Sequence, residues 1–185
     1  MEIPTPLNRE FYLSGDINQS IAKDIMQGIR LVNESDNYIS ETLKSIGSEY
    51  VPDPIRINID SFGGCCYSGM GIIGEIKSSK TPIHTHVVGS AMSMGFIILC
   101  AGTIRTANAM STLMLHEPSI SVEGNLTHIG LNLKGIKKLD KRINRVITDN
   151  TNLTLSELKK KYNKQQDWYM NSEQSLSYGV IHKII

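Results

Sequence analysis

Apolar and polar positions along this chain follow two rhythms that take turns. Ile55, Ile57 and Ile59 are interleaved with Arg56, Asn58 and Asp60, the period-two pattern of a half-buried strand. Ile21, Ile25, Ile29 and Val32 recur at helical spacing with Ser20 and Asp24 near the start, which predicts a helix over 17–32. Followed along the chain, the two periods predict a strand at 10–13 ended by Ser14-Gly15-Asp16, then that helix. A strand at 55–59 follows, broken by Asp60-Ser61-Phe62-Gly63-Gly64, and a helix at 67–78. A second cycle gives a strand at 83–88, a turn at Gly89-Ser90-Ala91 and a buried helix at 92–101. Short strands at 104–106 and 112–115 come next. A long amphipathic helix at 126–150 carries Leu131, Ile136, Leu139, Ile143, Val146 and Ile147 on its apolar side. Thr154 and Glu157 form a capping box for a helix beginning at Leu155. A helix at 172–178 closes at Gly179, and 180–185 reads as a terminal strand. The pattern weakens only between 33 and 54, where Gly47, Pro52 and Pro54 sit in polar sequence and 38–46 can extend the preceding helix. Strands alternating with helices predict the α/β class.

Composition narrows the picture. The 185 residues suit one domain spanning 1–185. A formal net charge of +1 provides no strong field for nucleic acid or an anionic membrane. Lys134, Lys137, Lys138, Lys141, Arg142 and Arg145, and again Lys159, Lys160 and Lys161, are spaced as the solvated faces of helices. Cys65, Cys66 and Cys100 show no metal-ligand spacing, and an odd count without a disulfide pattern fits a reducing compartment such as the cytoplasm. No signal-peptide pattern opens the chain and no apolar run has the length of a membrane span. The expectation is a cytoplasmic protein with no metal and no cofactor.

Chemistry concentrates in 87–102. There Ser93 sits among small residues where the strand-like run meets the apolar helix. A helix N-terminus supplies free N–H groups and a favourable field for negative charge, which is what an acyl-transfer oxyanion needs. His116, at the end of Leu113-Met114-Leu115 and before Pro118, is the candidate base. His84, His86, His128 and His182 read as structural or exposed. Asp167 is the candidate orienting acid in a polar loop, with Asp60, beside glycines at a strand end, as its rival. Gly63-Gly64 lets main chain approach a substrate, so that the N–H groups of Gly64 and Met94 are candidates for an oxyanion hole. A Ser-Lys dyad using a distant lysine remains open.

These residues resemble the ClpP family, the proteolytic subunits of the Clp protease. Gly89, Ala91, Ser93, Met94 and Gly95 match its Gly-x-Ala-x-Ser-Met-Gly element, and His116-Glu117-Pro118 its His-Gln-Pro. Asp60-Ser61-Phe62-Gly63-Gly64, followed by Ser68-Gly69-Met70, matches its Asn-Ser-Pro-Gly-Gly segment. Asp167, Asn171-Ser172 and Tyr178-Gly179 match its C-terminal pattern. The resemblance runs from Phe11 to the C-terminus. It implies a crotonase-like ββα superhelix with a protruding handle helix at about 126–150. It also implies a serine endopeptidase using Ser93, His116 and Asp167 on unfolded polypeptides inside a homo-oligomer of seven-membered rings, two of them stacked, with an AAA+ Clp unfoldase as partner. Ser61, Phe62, Gly63 and Cys65 would flank the substrate, bound as an added β-strand, with a further strand after Ser121 on its other side.

Four departures from the family pattern bear on unfoldase docking and ring stacking rather than on catalysis. The segment before the first strand is short, and 33–54 exceeds the family's usual connection. Gln166 and Trp168 stand where a basic residue usually flanks the aspartate. Ser119-Ile120-Ser121-Val122-Glu123 precedes Gly124 in place of a glycine-rich run. The alternatives are a capsid-maturation type peptidase of the same family, or a catalytically silent subunit or crotonase-fold binding module. Silence sits poorly with an intact Ser93, His116 and Asp167.

Overall fold

The computed structural model describes residues 7–119, 123–162 and 167–185. The first six residues, the segment at 120–122 where a substrate-flanking strand was expected to begin, and Gln166 lie outside the described residues.

The expected α/β alternation is present, with strands that run longer than the local pattern indicates. Strand β1 (Glu10–Ile17) passes through Ser14-Gly15-Asp16, and β2 (Ile55–Gly64) through the Gly63-Gly64 segment. Strand β3 (Ile83–Met92) likewise includes Gly89-Ser90-Ala91. The signals at Ser14-Gly15-Asp16 and Gly89-Ser90-Ala91 mark irregularities inside paired strands rather than their ends, whereas Gly63-Gly64 closes β2. The β1–β2 register shifts between Ser14 and Asp16, and the β2–β3 register shifts between Ile59 and Ser61. Asp60 holds the second irregularity, its Oδ1 accepting from the N–H and hydroxyl of Ser90, both at 2.9 Å.

Helix α1 (Gln19–Ser45) is far longer than 17–32 and starts after the Asn18 cap, whose side chain accepts from the Ile21 N–H at 3.0 Å. It continues because the polar residues that interrupt its apolar stripe are partnered. Asp36, almost fully buried, accepts from Arg9, from the Thr81 hydroxyl and from the Tyr50 hydroxyl at 2.7 Å. Asn33 Oδ1 accepts from the Lys80 N–H at 2.8 Å. The stretch around Tyr50 and Pro52 is thus pinned to α1 through Asp36 and does not form a separate unit.

Helix α2 (Cys66–Ser78) precedes β3, and α3 (Met94–Ala101) follows it with every residue buried. Strands β4 (Ile104–Ala107) and β5 (Thr112–Leu115) come next, then α4 (Leu126–Thr148) and α5 (Leu155–Tyr162). Strand β6 (Trp168–Asn171), helix α6 (Ser172–Ser177) and β7 (Lys183–Ile184) complete the order. The sheet runs β1-β2-β3-β4-β7 in parallel. The first half of β3 pairs with β4, and its second half, past the irregularity, pairs with β5. Strand β6 then adds antiparallel to β5. One hydrophobic cluster joins the elements, with Leu13, Ile57, Val87, Phe96, Ile98 and Leu99 fully buried.

In α4 the buried residues are Leu139, Ile143, Asn144 and Ile147. Leu131, expected on the inner side, is 63% exposed and Leu126 88%, so the first turns of this helix stand away from the core, as a handle does. The carboxyl ends of three helices meet at Arg105, which is buried. Its guanidinium donates to the carbonyls of Gly102 after α3, Asn150 after α4 and Gly179 after α6, and its Nε to Val180. A cation at helix C-termini satisfies carbonyls that lack intrahelical donors. Among the described residues no helix is long and apolar enough to cross a membrane, and no cluster of three or more His, Cys, Asp or Glu is suited to a metal.

The Asp36 anchor yields a pH-dependent expectation. Burial pushes the Asp36 carboxyl up, but hydrogen bonds from Arg9, Thr81 and Tyr50 outweigh it and hold the group below its ordinary value. A depressed folded-state value means that the contribution is complete above the unfolded carboxylate range and is lost as pH falls through the folded value. Asp36→Ala is expected to cost about 2 kcal/mol at neutral pH. Denaturant titrations should show the gap to wild type closing below roughly pH 4.

Candidate active site

Ser93 is the joint between β3 and α3, and its backbone is the unusual feature of the joint. With φ 50° and ψ −119° it is the single non-glycine residue of positive φ among the described residues. L-residues take up such a conformation at a cost of about 1–3 kcal/mol, and tight strand-to-helix turns use it to hold a nucleophile clear of its neighbours. Two contacts fix it. The Ser93 N–H donates to the Met114 carbonyl at 2.9 Å, and the Ser93 carbonyl accepts from the Ile97 N–H at 3.3 Å.

The second contact surface is glycine. A Cβ on Gly63 would stand 2.7 Å from the Ser93 Cβ and 3.0 Å from the Met92 carbonyl, and the residue has φ 110°. The backbone of β2 therefore passes directly against the serine, which no other residue type permits. Gly64, at φ 142°, is packed on the other side, its absent Cβ 2.5 Å from the Ile17 carbonyl. The Gly63 N–H is occupied by the Ser61 hydroxyl at 3.1 Å. Met94 opens α3, so its N–H has no intrahelical acceptor.

His116 follows the last residue of β5, and its Nε2 lies 2.7 Å from Ser93 Oγ. Its Nδ1 lies 3.4 Å from Asp167 Oδ1. With the ring proton on Nδ1, facing the carboxylate, Nε2 is free to accept from the serine hydroxyl. The position of Asp167 comes from β6, an element that the sequence pattern did not reveal: the polar loop expected there ends in a strand. Leu115 pairs with Trp168 in the antiparallel ladder, so one step outward His116 meets Asp167 on the same face. The rival, Asp60, is committed to Ser90.

The remaining predicted residues divide. Phe62, 73% exposed, and Cys65, also exposed, flank the glycines on the solvent side. Ser61 is buried, its hydroxyl donating to the Gly15 carbonyl at 2.6 Å, so it has main chain and no side chain to offer a substrate. Hydrogen bonding with Ser68 draws the Cys65 thiol below its ordinary value, whereas full burial pushes Cys100 up to about 12. Of the other histidines, His86 Nδ1 bonds the Thr106 hydroxyl at 2.8 Å and His182 Nδ1 accepts from the Arg105 N–H at 3.2 Å. The contact that sequence reasoning missed is the Met114 carbonyl, which carries no side-chain signal.

Comparison with known proteins follows the same lines. A model of the family described as Clp protease matches residues 16–185. An ATP-dependent Clp protease proteolytic subunit 2 from Synechococcus sp. (strain CC9605) is 31% identical over 163 residues, covering 87% of this chain and 82% of the relative. The protein of the same description from Parasynechococcus marenigrum (strain WH8102) is 30% identical over equal shares. With similarity spread over nearly the whole chain, and the serine element, the histidine and the aspartate drawn together by a mixed α/β sheet, the chain belongs to the ClpP family of Clp protease proteolytic subunits.

Proposed function

We propose that this chain is a serine endopeptidase that cleaves unfolded polypeptides, with Ser93 as nucleophile, His116 as general base and acid, and Asp167 as the orienting carboxylate. The observation that carries the reading is the 2.7 Å contact between His116 Nε2 and the hydroxyl of a serine held at positive φ. Ser93 Oγ attacks the scissile carbonyl as His116 Nε2 takes its proton. The carbonyl oxygen becomes an oxyanion, received by the N–H of Met94 at the start of α3 and the N–H of Gly64, part of the peptide unit that begins at Gly63. Collapse of the intermediate returns the proton to the leaving amine, and water then hydrolyses the acyl-enzyme with His116 again as base. Asp167 stabilises the imidazolium electrostatically and holds the tautomer.

The substrate lies as an extended strand beside the end of β2, where Phe62, Gly63 and Cys65 border it. The assembly proposed is that of the family: seven-membered rings, two stacked, enclosing the serines, with an AAA+ Clp unfoldase delivering chains. Leu126, Leu131 and Leu133 on the outstanding half of α4 supply apolar surface for such contacts.

Ser93→Ala and His116→Ala are each expected to lower kcat on the order of a million-fold while leaving fold and assembly intact, since such residues act as a unit. Asp167→Asn should cost about ten-thousand-fold by favouring the wrong tautomer. Fluorophosphonate labelling of Ser93 tests the reading directly, and an unlabelled Ser93 in folded protein overturns it. Gly63→Ala is expected to slow turnover by about a hundredfold or more, because the new methyl meets Ser93 and displaces its hydroxyl. Steady-state kinetics beside a thermal unfolding midpoint separate that effect from loss of fold. Mass measurement of the intact assembly is expected to give multiples of seven subunits; a monomer under native conditions would refute the ring.

A further inference from the structure

We infer that Trp168 is a positioning residue, which holds Asp167 opposite His116 by being clamped between Lys161 and Tyr178. This rests on the triad reading above and adds to it the means by which the third member is placed.

The need for such a device is visible in the geometry. Asp167 has no strand neighbour beyond β5, its side chain is 49% exposed, and its contact with His116 is 3.4 Å, at the outer edge of hydrogen bonding. Among the described residues its carboxylate has no charged or hydrogen-bonding partner besides His116. Its place is set instead by register, because Leu115 pairs with Trp168 and the next step outward faces His116 with Asp167. A slip of one residue would turn the carboxylate to the opposite face of the sheet. Register is thus the quantity to be secured, and β6 is only four residues long.

Trp168 secures it on the face opposite to the carboxylate. Its ring meets that of Tyr178 edge to face, with centroids 5.1 Å apart and planes at 80°, a favoured arrangement for aromatic pairs. The Lys161 ammonium lies 4.4 Å from the indole centroid, within the range of a cation–π contact. Lys161 belongs to the end of α5 and Tyr178 to the residue after α6. The ring is therefore gripped from the element before β6 and from the element after it. Tyr178 is in turn tied to the rest of the fold, since its carbonyl accepts from the Asn152 N–H at 2.9 Å and the next carbonyl, of Gly179, accepts from buried Arg105. The neighbouring Met170 is buried on the same face as Trp168, and Tyr169, between them, points outward with Asp167.

The test uses the full chain and a short peptide substrate. Trp168→Leu keeps apolar bulk but loses the stack, and Trp168→Phe keeps an aromatic face. Trp168→Leu is expected to lower kcat by roughly tenfold to a hundredfold with KM unchanged within about twofold, and Trp168→Phe to restore most of the loss. In an Asp167→Asn background Trp168→Leu should add no further loss, because both act through the same carboxylate. Trp168 is the chain's single tryptophan, so Lys161→Met should alter the emission of this one ring, and emission of a fully hydrated indole in the wild type would overturn the clamp. Equal losses in Trp168→Leu and Trp168→Phe that follow a fallen unfolding midpoint, or full multiplication of the two losses in the double variant, would overturn the positioning role. A silent Trp168→Leu beside a severe Asp167→Asn overturns this inference alone. A silent Asp167→Asn removes the triad reading and this inference with it.

Discussion

The close approach of the β2 backbone to Ser93 is the constraint around which the structure is arranged. A methyl group at Gly63 would lie within 2.7 Å of the serine Cβ, so the strand can pass there only as glycine. The β2–β3 register must deliver that glycine to the right level. It does so by shifting between the Ile59–Val87 and Ser61–Ala91 pairs, with Asp60 tied to Ser90 across the shift. The serine answers with a backbone conformation that L-residues rarely adopt, held by the Met114 carbonyl on one side and the first turn of α3 on the other. The strain is local, and it is sustained because α3 is buried on all sides and has no freedom to relax it.

A second arrangement brings the other two side chains to this point. Strand β3 is shared: its first half belongs to the parallel sheet with β4, its second half to a branch with β5 and β6. The serine stands at the carboxyl end of β3 and the histidine at the carboxyl end of β5, where open α/β sheets place their sites. The aspartate stands at the start of a strand running the opposite way, so antiparallel pairing brings it face to face with the histidine. Arg105 matters to this branch from a distance. By collecting carbonyls after α3, α4 and α6, it locks the C-terminal elements to the strand that precedes β5.

Membership in the ClpP family and the geometry of the site support each other without being the same statement. The family match spans 16–185, which includes the glycines, the serine, the histidine and the aspartate. The chain nevertheless carries its own solutions. The long α1 with its Asp36 anchor to Arg9, Tyr50 and Thr81 occupies the stretch in which the sequence departs from the family's usual connection. Trp168 stands beside the aspartate where the family usually has a basic residue, and its contacts with Lys161 and Tyr178 lie within one chain. Both devices replace what polar or apolar pattern alone would provide with specific partnered groups.

The alternation of strands and helices, the buried α3, the capping box at Thr154 and the strand-to-helix joint at Ser93 were legible in the sequence, because each depends on residues that are neighbours along the chain. Period-two and period-3.6 patterns report which face of an element meets the core, and small residues beside a serine report crowding at a turn. What the sequence could not determine were features set by partners distant in the chain. Gly89-Ser90-Ala91 has the composition of a turn, and only the β2 ladder and Asp60 make it a bulge within a strand. Asn33 and Asp36 interrupt an apolar stripe, and only Thr81, Tyr50 and Arg9 make them helix interior. Strand β6 is four residues long and half exposed, so its pattern is too short to show, and Asp167 looked like any acid in a loop. Pairing with β5 sets Asp167 and not Asp60 opposite His116, since the identity of a residue fixes what its side chain can do while the register of a ladder fixes which side chain it meets.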